Sequence, residues 1–427
     1  MKQFLFISIL AFSLSPLFSQ NIAGNWKGIL DANGEQLPVD LHFKNNNGKI
    51  DGSWDSPSQG LKDQPFSGIN IKGDSVHLNV DIILGSYEGK FVEPDSIAGN
   101  WFQSGAQLPL NFKKSNDTTA TIKNIPINKD EISYPNEKEI SITSAAGSQL
   151  YGTLLSKNNQ QKLALIIAGS GPTDRDGNNP LGDKANSYKM LAHSLDSQNI
   201  ATFRYDKRGI AKSAIHNFKE SDLVFDDYIK DAEKIFDYLH DTLGFKNIYF
   251  IGHSEGSLIG IIASQKEPVK GYISLAGAGR PIDVIIEEQI QKQPLPDSVK
   301  NQVPLLFNDL KEGKKVDKFP IILYPLFHQS IQPYMISWMK YSPEKEIKKL
   351  NCPILILQGS CDIQMEPADA ENLHKGNKKS TLNMIPLMTH TLKSAGKDCE
   401  DQQKTYTDGA LPLDKLLVKD IVEFIKR

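Results

Sequence analysis

The sequence predicts an α/β fold, built from alternating strands and helices, that follows a smaller all-β domain. Three observations predict it: apolar residues alternate with period two within residues 21–114, a polar stretch occupies 115–137, and short apolar runs separated by helix-period segments fill 138–427. Alternation with period two buries one face of a strand, whereas apolar strands separated by helices are typical of a parallel sheet covered on both faces. We therefore expect an all-β domain, a linker and a doubly wound α/β domain.

The all-β domain contains an internal repeat. The pentapeptide Ile-Ala-Gly-Asn-Trp begins at Ile22 and again at Ile97, and the tripeptide Gln-Leu-Pro begins at Gln36 and again at Gln107. Short strands separated by Gly and Asn turns favour a small antiparallel barrel or sandwich with its tryptophans packed inside. A role of these tryptophans in stacking on sugars is the alternative to core packing.

The first twenty residues differ from the rest of the chain. Lys2 precedes an apolar run at 4–17, which the small residue Ser19 follows. Such a run is too short to span a bilayer and suits a signal peptide that is cleaved near Ser19 or Gln20. We therefore expect residues 1–20 to be a signal peptide and the protein to be secreted or periplasmic. A buried N-terminal strand is the alternative.

Charge and composition exclude several classes of partner. The formal net charge is -3 and no long run of one sign occurs, so nothing indicates binding to nucleic acid. No second apolar run of comparable length follows, and we expect no membrane span. Because the chain has no Cys-x-x-Cys motif and no histidine cluster, we expect neither a metal nor another cofactor.

A pentapeptide in the α/β domain carries the candidate nucleophile. Gly252-His253-Ser254-Glu255-Gly256 follows the apolar run 248–251 and precedes a helix-like segment at 257–264. This is G-x-S-x-G in the strand–turn–helix context of a nucleophile elbow, in which a side chain at either glycine would collide with neighbouring backbone. The pattern predicts an α/β-hydrolase fold with Ser254 as nucleophile.

A serine hydroxyl needs a general base, and in this fold the chain order is serine, acid, histidine. Asp362 follows the late apolar strand 353–358 and is the candidate acid. His390 follows the short strand 382–385 and is the candidate base. Glu366 and Asp369 are the alternative acids, although both lie within the next predicted helix. His374 is the other histidine after Asp362 and also lies on a helix-like segment.

The oxyanion of a tetrahedral intermediate requires N–H donors. One should be the amide of Glu255, directly after the nucleophile. The other should come from the loop 168–172, where Pro172 has no N–H. We expect the donor to be Ser170, with Gly171 as the second choice.

A further segment, at about 280–348, breaks the alternation of strands and helices. It carries Phe327, Tyr334, Met335 and Trp338 and is too long for an ordinary connection. We expect a helical lid insertion that covers the active site.

Five motifs give the α/β domain a family resemblance. The run Gly-Ser-Gly-Pro-Thr-Asp-Arg-Asp-Gly at 169–177 resembles the G-S-G-P-x-D-R-D loop of a bacterial α/β-hydrolase esterase family, and four other motifs follow in family order: Arg204 to Gly209, Ser337-Trp338, Gln358 to Gln364, and His390 to Lys393. The chain is also, more loosely, similar to serine aminopeptidase-type hydrolases. The resemblance covers about 139–427 and implies carboxylic ester hydrolysis with Ser254, Asp362 and His390 as the triad. Thr389 departs from the family, which has Asn there.

The charged residues of these motifs have two interpretations. Asp174, Arg175, Asp176 and Arg208 either form a salt-bridged scaffold near the oxyanion hole, which we favour, or contact the substrate. We expect a serine esterase that forms an acyl-enzyme with a small-molecule ester. A peptidase or acyltransferase with the same triad is the alternative. A glycan-binding protein with a silent hydrolase scaffold is a third hypothesis.

The chain has three cysteines, so at least one is unpaired within it. Cys361 precedes the candidate acid and Cys399 follows the candidate base, so a hydrogen bond between acid and base would bring both cysteines together. Export would place them where a disulfide persists. We therefore predict a Cys361–Cys399 bridge, with Cys352 as a small apolar residue. Three free thiols are the alternative.

Overall fold

The structure, a computed structural model, describes residues 22–32, 35–46, 49–57, 61–80, 85–103, 106–115, 134–157, 160–179, 183–215 and 219–427. The predicted signal peptide at 1–20 and residues 116–133 of the predicted linker lie outside these ranges. Of the linker's end residues, Ser115 belongs to a strand of the β-domain and Glu137 begins a strand of the α/β domain. The chain divides into two compact units, Met1–Ile125 and Pro126–Arg427.

The described part of the first unit is all-β, as predicted. Its strands are β1 (Gly24–Ala32), β2 (Glu35–Asn46), β3 (Lys49–Ser56), β4 (Leu61–Pro65), β5 (Gly68–Lys72), β6 (Ser75–Val80), β7 (Gly85–Glu93), β8 (Ser96–Gln103), β9 (Ala106–Pro109) and β10 (Phe112–Ser115). They form one antiparallel sheet in the order β4-β3-β2-β1-β10-β8-β7-β6-β5, with β9 on β8. Among the described residues the two end strands are not paired with each other, so the sheet is a half-barrel and not a two-sheet sandwich.

Alternation of burial along these strands places one face of the sheet in a core. In β6, Val76, Leu78 and Val80 are buried and the residues between them are not. Trp26 and Trp54 are buried in the same core, which supports core packing over sugar stacking for these two residues. The repeated pentapeptides lie on β1 and β8, which flank β10 on either side.

The second unit contains an eight-stranded sheet. Its strands are β11 (Glu137–Thr143), β12 (Gln149–Leu155), β13 (Lys162–Ile167), β14 (Ala201–Tyr205), β15 (Asn247–His253), β16 (Gly271–Leu275), β17 (Ile354–Gly359) and β18 (Thr381–Ile385). The order is β11-β12-β14-β13-β15-β16-β17-β18; β12 is antiparallel to its neighbours, and the pairs from β14 to β18 are parallel. This topology confirms the predicted α/β-hydrolase fold.

Helices cover both faces of this sheet. They are α1 (Ser187–Ser197), α2 (Phe225–Asp237), α3 (Glu255–Ala263), α4 (Ile282–Lys292), α5 (Asp297–Lys300), α6 (Val303–Lys311), α7 (Tyr324–Phe327), α8 (Gln332–Trp338), α9 (Pro343–Ile347), α10 (Pro367–Gly376), α11 (Gln402–Thr407) and α12 (Lys415–Lys426). Apolar residues of α1 and α12 form the core on one face, and those of α2, α3 and α10 form it on the other. Within the described ranges, no helix combines the length and apolarity needed to cross a bilayer.

The predicted insertion between β16 and β17 is helical and carries α4 to α9. Its expected role as a cover for the active site stays a prediction: no described residue of this segment lines the cavity beside Ser254, although Tyr334 contacts Glu255, the residue after Ser254. Its aromatic side chains pack on α2 instead: Trp338 stacks on Phe225 with ring centroids 5.3 Å apart. Apolar burial against α2 therefore holds this part of the insertion in place.

Candidate active site

Ser254 lies between β15 and α3, at the sharp turn that the pentapeptide predicted. Its backbone has φ 53° and ψ -119°, a strained conformation for a residue with a side chain. The two glycines permit the turn: a Cβ at Gly252 would lie 2.3 Å from the carbonyl oxygen of Gly256, and one at Gly256 would lie 2.3 Å from that of Ile167. The backbone thus presents the Ser254 side chain at the N-terminus of α3.

Asp362 and His390 form a buried acid–base pair. His390 Nδ1 lies 2.9 Å from Asp362 Oδ2, and the other carboxylate oxygen accepts N–H bonds from Gln364 (2.8 Å) and Met365 (2.9 Å). Burial alone would raise the pKa of Asp362, but the neighbouring His390 and these two amides outweigh it and hold the pKa below its usual value. Asp362 therefore stays ionised and orients the imidazole.

The alternative residues are engaged elsewhere. Asp369 is fully buried and pairs with Arg280, and Glu366 pairs with Lys292. His374 lies on α10, and its Nδ1 is 2.9 Å from the Ser380 hydroxyl. None of these three side chains lines the described cavity beside Ser254.

Ser254 and His390 line one cavity of about 190 Å³. Both side chains are buried, at 4% and 6% exposure. No hydrogen bond joins the Ser254 hydroxyl to another side chain among the described residues. Catalytic hydrogen bonds are commonly long without substrate and tighten when it binds, so this geometry is compatible with a serine–histidine pair.

The candidate oxyanion donors lie at the same cavity. The amide of Glu255 is the first of α3, and no described group accepts from it, as expected at a helix N-terminus. In the loop after β13, Gly169 donates its N–H to the Tyr188 hydroxyl at 3.0 Å, so this amide is already paired and is not free for an oxyanion. Ser170 lines this cavity and Gly171 does not; Ser170 stays the predicted donor.

A buried lysine, Lys207, lies between the two segments that carry these candidate donors. Lys207, 1% exposed, donates from Nζ to the Gly169 carbonyl at 2.5 Å and to Glu255 Oε2 at 3.2 Å. Because the N–H and C=O of a trans peptide point in opposite directions, the carbonyl held by Lys207 turns the N–H of Ser170 away from the lysine. The Tyr334 hydroxyl of the insertion donates to the other oxygen of Glu255. Lys207 thereby links the peptide that carries the Ser170 N–H to the side chain of Glu255.

A second chain of hydrogen bonds passes through His253, which precedes the nucleophile. The His390 carbonyl can only accept, so Nε2 of His253, 2.8 Å away, carries the proton. His253 Nδ1 then accepts from the Tyr188 hydroxyl at 2.7 Å. Since Tyr188 in turn accepts from Gly169, the chain ties the oxyanion loop to the backbone of the base. Burial, followed by the nearby His390 ring, lowers the pKa of His253 to about 3.

This shift predicts a dependence of stability on pH. Folding lowers the pKa of His253. Below about pH 6.5, therefore, His253 is protonated in the unfolded chain but stays neutral in the folded chain. Stability is therefore lost as the pH falls from about 6.5 towards 3, by about 2 kcal/mol between pH 7 and 5. His253→Gln keeps an acceptor and a donor but removes this titration. Urea unfolding at pH 7 and pH 5 measures the difference in free energy of unfolding between wild type and variant, which should be smaller at pH 5 by about this amount. A difference that does not depend on pH would contradict the lowered pKa of His253.

The charged loop residues form a scaffold, which supports the first of the two interpretations. Arg175 donates from Nε (3.0 Å) and Nη2 (2.6 Å) to the same oxygen, Oδ2, of Asp206. Arg208 instead binds Asp231 in a bidentate way, from Nε to one carboxylate oxygen and from Nη2 to the other. Arg204 pairs with Asp176 at 2.7 Å. Asp174, Arg175, Asp176 and Arg208 are absent from the described wall of the cavity.

The structure pairs Cys361 with Cys399, as predicted, with Cα atoms 5.6 Å apart. Cys352 is free and half-buried. The bridge links the loop of Asp362 to the segment after His390. Two backbone bonds, from Ser360 to Ile385 and from Cys361 to Met388, link the same loop to the segment before His390. These links hold the acid next to the base.

Several residues at the site escaped the sequence analysis. Asn179, Asp183, Gln364 and Tyr406 line the cavity. Burial raises the pKa of Asp183, although the Asn179 amide binds its carboxylate. Asn179 and Asp183 lie on one loop, but Gln364 and Tyr406 come from distant parts of the chain, so no local pattern could have grouped all four. His253 and Lys207, by contrast, stand inside motifs that the sequence analysis singled out for other residues.

Comparisons with known proteins place the α/β domain in a hydrolase family. Residues 180–394, about half of the chain, match the family model described as serine aminopeptidase, S33. The chain is 23% identical over 276 residues to esterase EstD of Thermotoga maritima; the match covers 63% of this chain and spans about three fifths (61%) of that relative. The segment matched by the family model contains all three candidate triad residues.

Two solved structures illustrate the likeness of fold. Est1E from Butyrivibrio proteoclasticus, bound to ferulic acid, has a TM-score of 0.44 and 20% identity, and covers 67% of this chain and 98% of its own. Proline iminopeptidase from Mycobacterium smegmatis has a TM-score of 0.43 and 10% identity, and covers 68% of this chain and 98% of its own.

Proposed function

We infer that this chain, which belongs to the serine aminopeptidase family S33, is a serine hydrolase that cleaves small carboxylic esters. One observation carries the inference: Ser254 stands at a nucleophile elbow and shares a cavity with His390, whose Nδ1 is held by the ionised Asp362. The likeness to an esterase supports the choice of ester over other acyl compounds.

The geometry supports the following sequence of steps. Ser254 Oγ attacks the ester carbonyl while His390 Nε2 takes its proton, and the resulting oxyanion accepts N–H bonds from Glu255 and Ser170. The intermediate collapses to an acyl-enzyme as His390 protonates the departing alcohol. Water, deprotonated by the same imidazole, then releases the acid. Asp362 stabilises the imidazolium in both halves of the reaction.

Cavity size and polarity predict the substrate class. A volume of about 190 Å³ holds roughly fifteen water-sized groups, and the described wall carries no aliphatic side chain larger than Ala185. Short acyl groups on polar alcohols therefore fit better than long chains. We expect the kcat/KM for p-nitrophenyl acetate to exceed that for the octanoate by at least about tenfold, the order expected when several methylenes find no apolar surface. Absence of turnover with acetate, butyrate and octanoate would contradict the proposed function.

A peptidase is the second candidate, because the Asp183 carboxylate lines the cavity within electrostatic reach of His390. Such a carboxylate can pair with the amino group of an aminoacyl substrate. Aminoacyl p-nitroanilides and aminoacyl esters separate the two hypotheses. An esterase cleaves only the esters, whereas a peptidase cleaves both and loses kcat/KM for both when Asp183 is replaced by Asn.

We propose that the protein is exported. The apolar run at 4–17 and the Cys361–Cys399 bridge both support export, since disulfides persist in oxidising compartments. Mass spectrometry of protein recovered outside the cytoplasm should find a start near Gln20 or Asn21. An intact Met1 in that fraction would count against the proposal, as would a Cys399 peptide that is freely alkylated without reductant.

A further inference from the structure

One wall of the cavity beside Ser254 carries polar side chains that the proposed reaction steps do not use. Asp183, Gln364 and Tyr406 line this wall, and all three are half-buried. The backbone joins two of their segments, because Lys184, next to Asp183, donates its N–H to the Tyr406 carbonyl at 2.8 Å. The loop of Asp183 and helix α11, which carries Tyr406, are therefore neighbours in the wall.

The hydrogen-bonding groups of this wall are only partly satisfied. Asn179 donates to Oδ2 of Asp183, while the other oxygen of that carboxylate has no hydrogen bond with a described residue and is not buried. The Tyr406 hydroxyl accepts from Gln364 Nε2 at 2.9 Å. A phenol hydroxyl also carries a proton to donate, and no described group accepts it. The wall therefore offers a carboxylate acceptor and a hydroxyl donor to a ligand.

The carboxylate of this wall lies on the side of the leaving alcohol. When the acyl-enzyme forms, His390 gives its proton to the alcohol oxygen, which must then lie at the imidazole. Burial raises the pKa of Asp183, and the nearby His390 partly offsets that increase, so the carboxylate is within electrostatic reach of the imidazole. The alcohol half of an ester bound at Ser254 therefore extends towards Asp183.

The two free groups of the wall select among the possible alcohols. A hydroxyl of the substrate can donate to Asp183 and also accept from Tyr406. An ammonium group can only donate, an anionic group is repelled by the carboxylate, and an alkyl chain satisfies neither group. A sugar ring presents several hydroxyls in fixed positions, so it meets both groups with little loss of conformational freedom.

We propose that the alcohol half of the substrate is a sugar, whose hydroxyls donate to Asp183 and accept from Tyr406 while Ser254 attacks a short acyl group on the same ring. This inference rests on the ester hydrolysis proposed above and adds the identity of the alcohol. The cavity of about 190 Å³ admits about one pyranose ring with an acetyl group. Asp183 and Tyr406 thereby determine specificity, and neither takes part in proton transfer.

Hydrolysis of the monoacetylated methyl glucopyranosides by the full chain tests the proposal. The matched substrates are cyclohexyl acetate and cyclohexylmethyl acetate, which have a ring of the same size and no hydroxyl. Titration of the released acetic acid at constant pH gives kcat/KM for each ester. We expect the best sugar acetate to exceed both matched esters by at least about tenfold, the order expected when one hydrogen bond to a charged group is added.

Variants of the wall remove the difference in reactivity between the alcohols themselves, because each variant is compared by its ratio of kcat/KM for sugar acetate over cyclohexylmethyl acetate. Tyr406→Phe should lower this ratio about 2- to 12-fold, and Asp183→Ala about 10- to 150-fold, the ranges for a neutral and a charged hydrogen bond. Tyr341→Phe is the matched control: its hydroxyl donates to Asp226 at 2.7 Å and does not line the cavity, so the ratio should stay at the wild-type value.

The outcomes separate this inference from the function on which it rests. If the enzyme cleaves p-nitrophenyl acetate but cleaves cyclohexylmethyl acetate as fast as every sugar acetate, the sugar is wrong and ester hydrolysis stands. A wild-type ratio in both folded wall variants also overturns the sugar. So does an aminoacyl ester that exceeds every sugar acetate and loses more kcat/KM in Asp183→Ala, because the carboxylate would then bind an ammonium group. Failure to cleave any of these esters overturns the proposed function as well.

Discussion

Replacing Ser254 with alanine is expected to lower kcat by a factor on the order of 10³ or more while leaving the protein folded. The reason is the loss of the acyl-enzyme route, because no other hydroxyl stands at the elbow beside His390. The side chain makes no hydrogen bond with a described side chain, so its removal leaves no buried partner unsatisfied. Turnover of p-nitrophenyl acetate and labelling by a fluorophosphonate measure the effect.

Ser264→Ala is the matched control for this variant. Ser264 is also buried, stands directly after α3, and has a hydroxyl without a partner in the structure. It should keep wild-type turnover and fluorophosphonate labelling. Retention of a tenth of the wild-type rate by Ser254→Ala would refute the nucleophile assignment.

Lys207→Met should damage both stability and turnover. Glu255 is 2% exposed, and removal of its cationic partner leaves a buried charge, a change that typically costs about 3–5 kcal/mol. The Gly169 carbonyl also loses its donor, so the Ser170 amide is no longer held in place. Loss of one oxyanion donor lowers kcat by about 10²- to 10³-fold. Urea unfolding and steady-state kinetics with p-nitrophenyl acetate measure the two effects.

A second substitution separates the two consequences of this change. Lys207→Met combined with Glu255→Gln removes both charges, so most of the stability should return while kcat stays low. Lys212→Met is the control, because Lys212 is 61% exposed and its pair with Glu139 lies at the surface, where such pairs contribute little. A normal kcat in folded Lys207→Met protein would show that the lysine does not position the oxyanion loop.

The triad candidates could be predicted from the sequence because each depends on local chemistry and on chain order. The elbow needs Gly252 and Gly256 within one short turn, so its signature lies in five consecutive residues. Asp362 and His390 each follow a short apolar strand, and parallel strands place their carboxyl ends at one edge of the sheet. The cysteine pairing then followed from the expected contact between those two loops.

Other features depend on residues that are far apart in the chain. The peptide that carries the predicted donor, the N–H of Ser170, has its carbonyl held by Lys207 from 38 residues away along the chain. The sequence does not distinguish aromatic residues of the insertion that face a cavity from those that pack in a core. In the structure, Trp338 packs on Phe225 in the core.

By itself, the sequence determined the order of strands and helices, the strained turn at Ser254 and the identity of the acid and base candidates, because short-range sterics and hydrophobic periodicity encode them. Only the tertiary structure decided which backbone carbonyl Lys207 binds, which loops form the cavity wall and which buried donors lack partners. Those properties arise from contacts between segments that are far apart in the chain. No local sequence pattern predicts such contacts, because they form only when the chain folds.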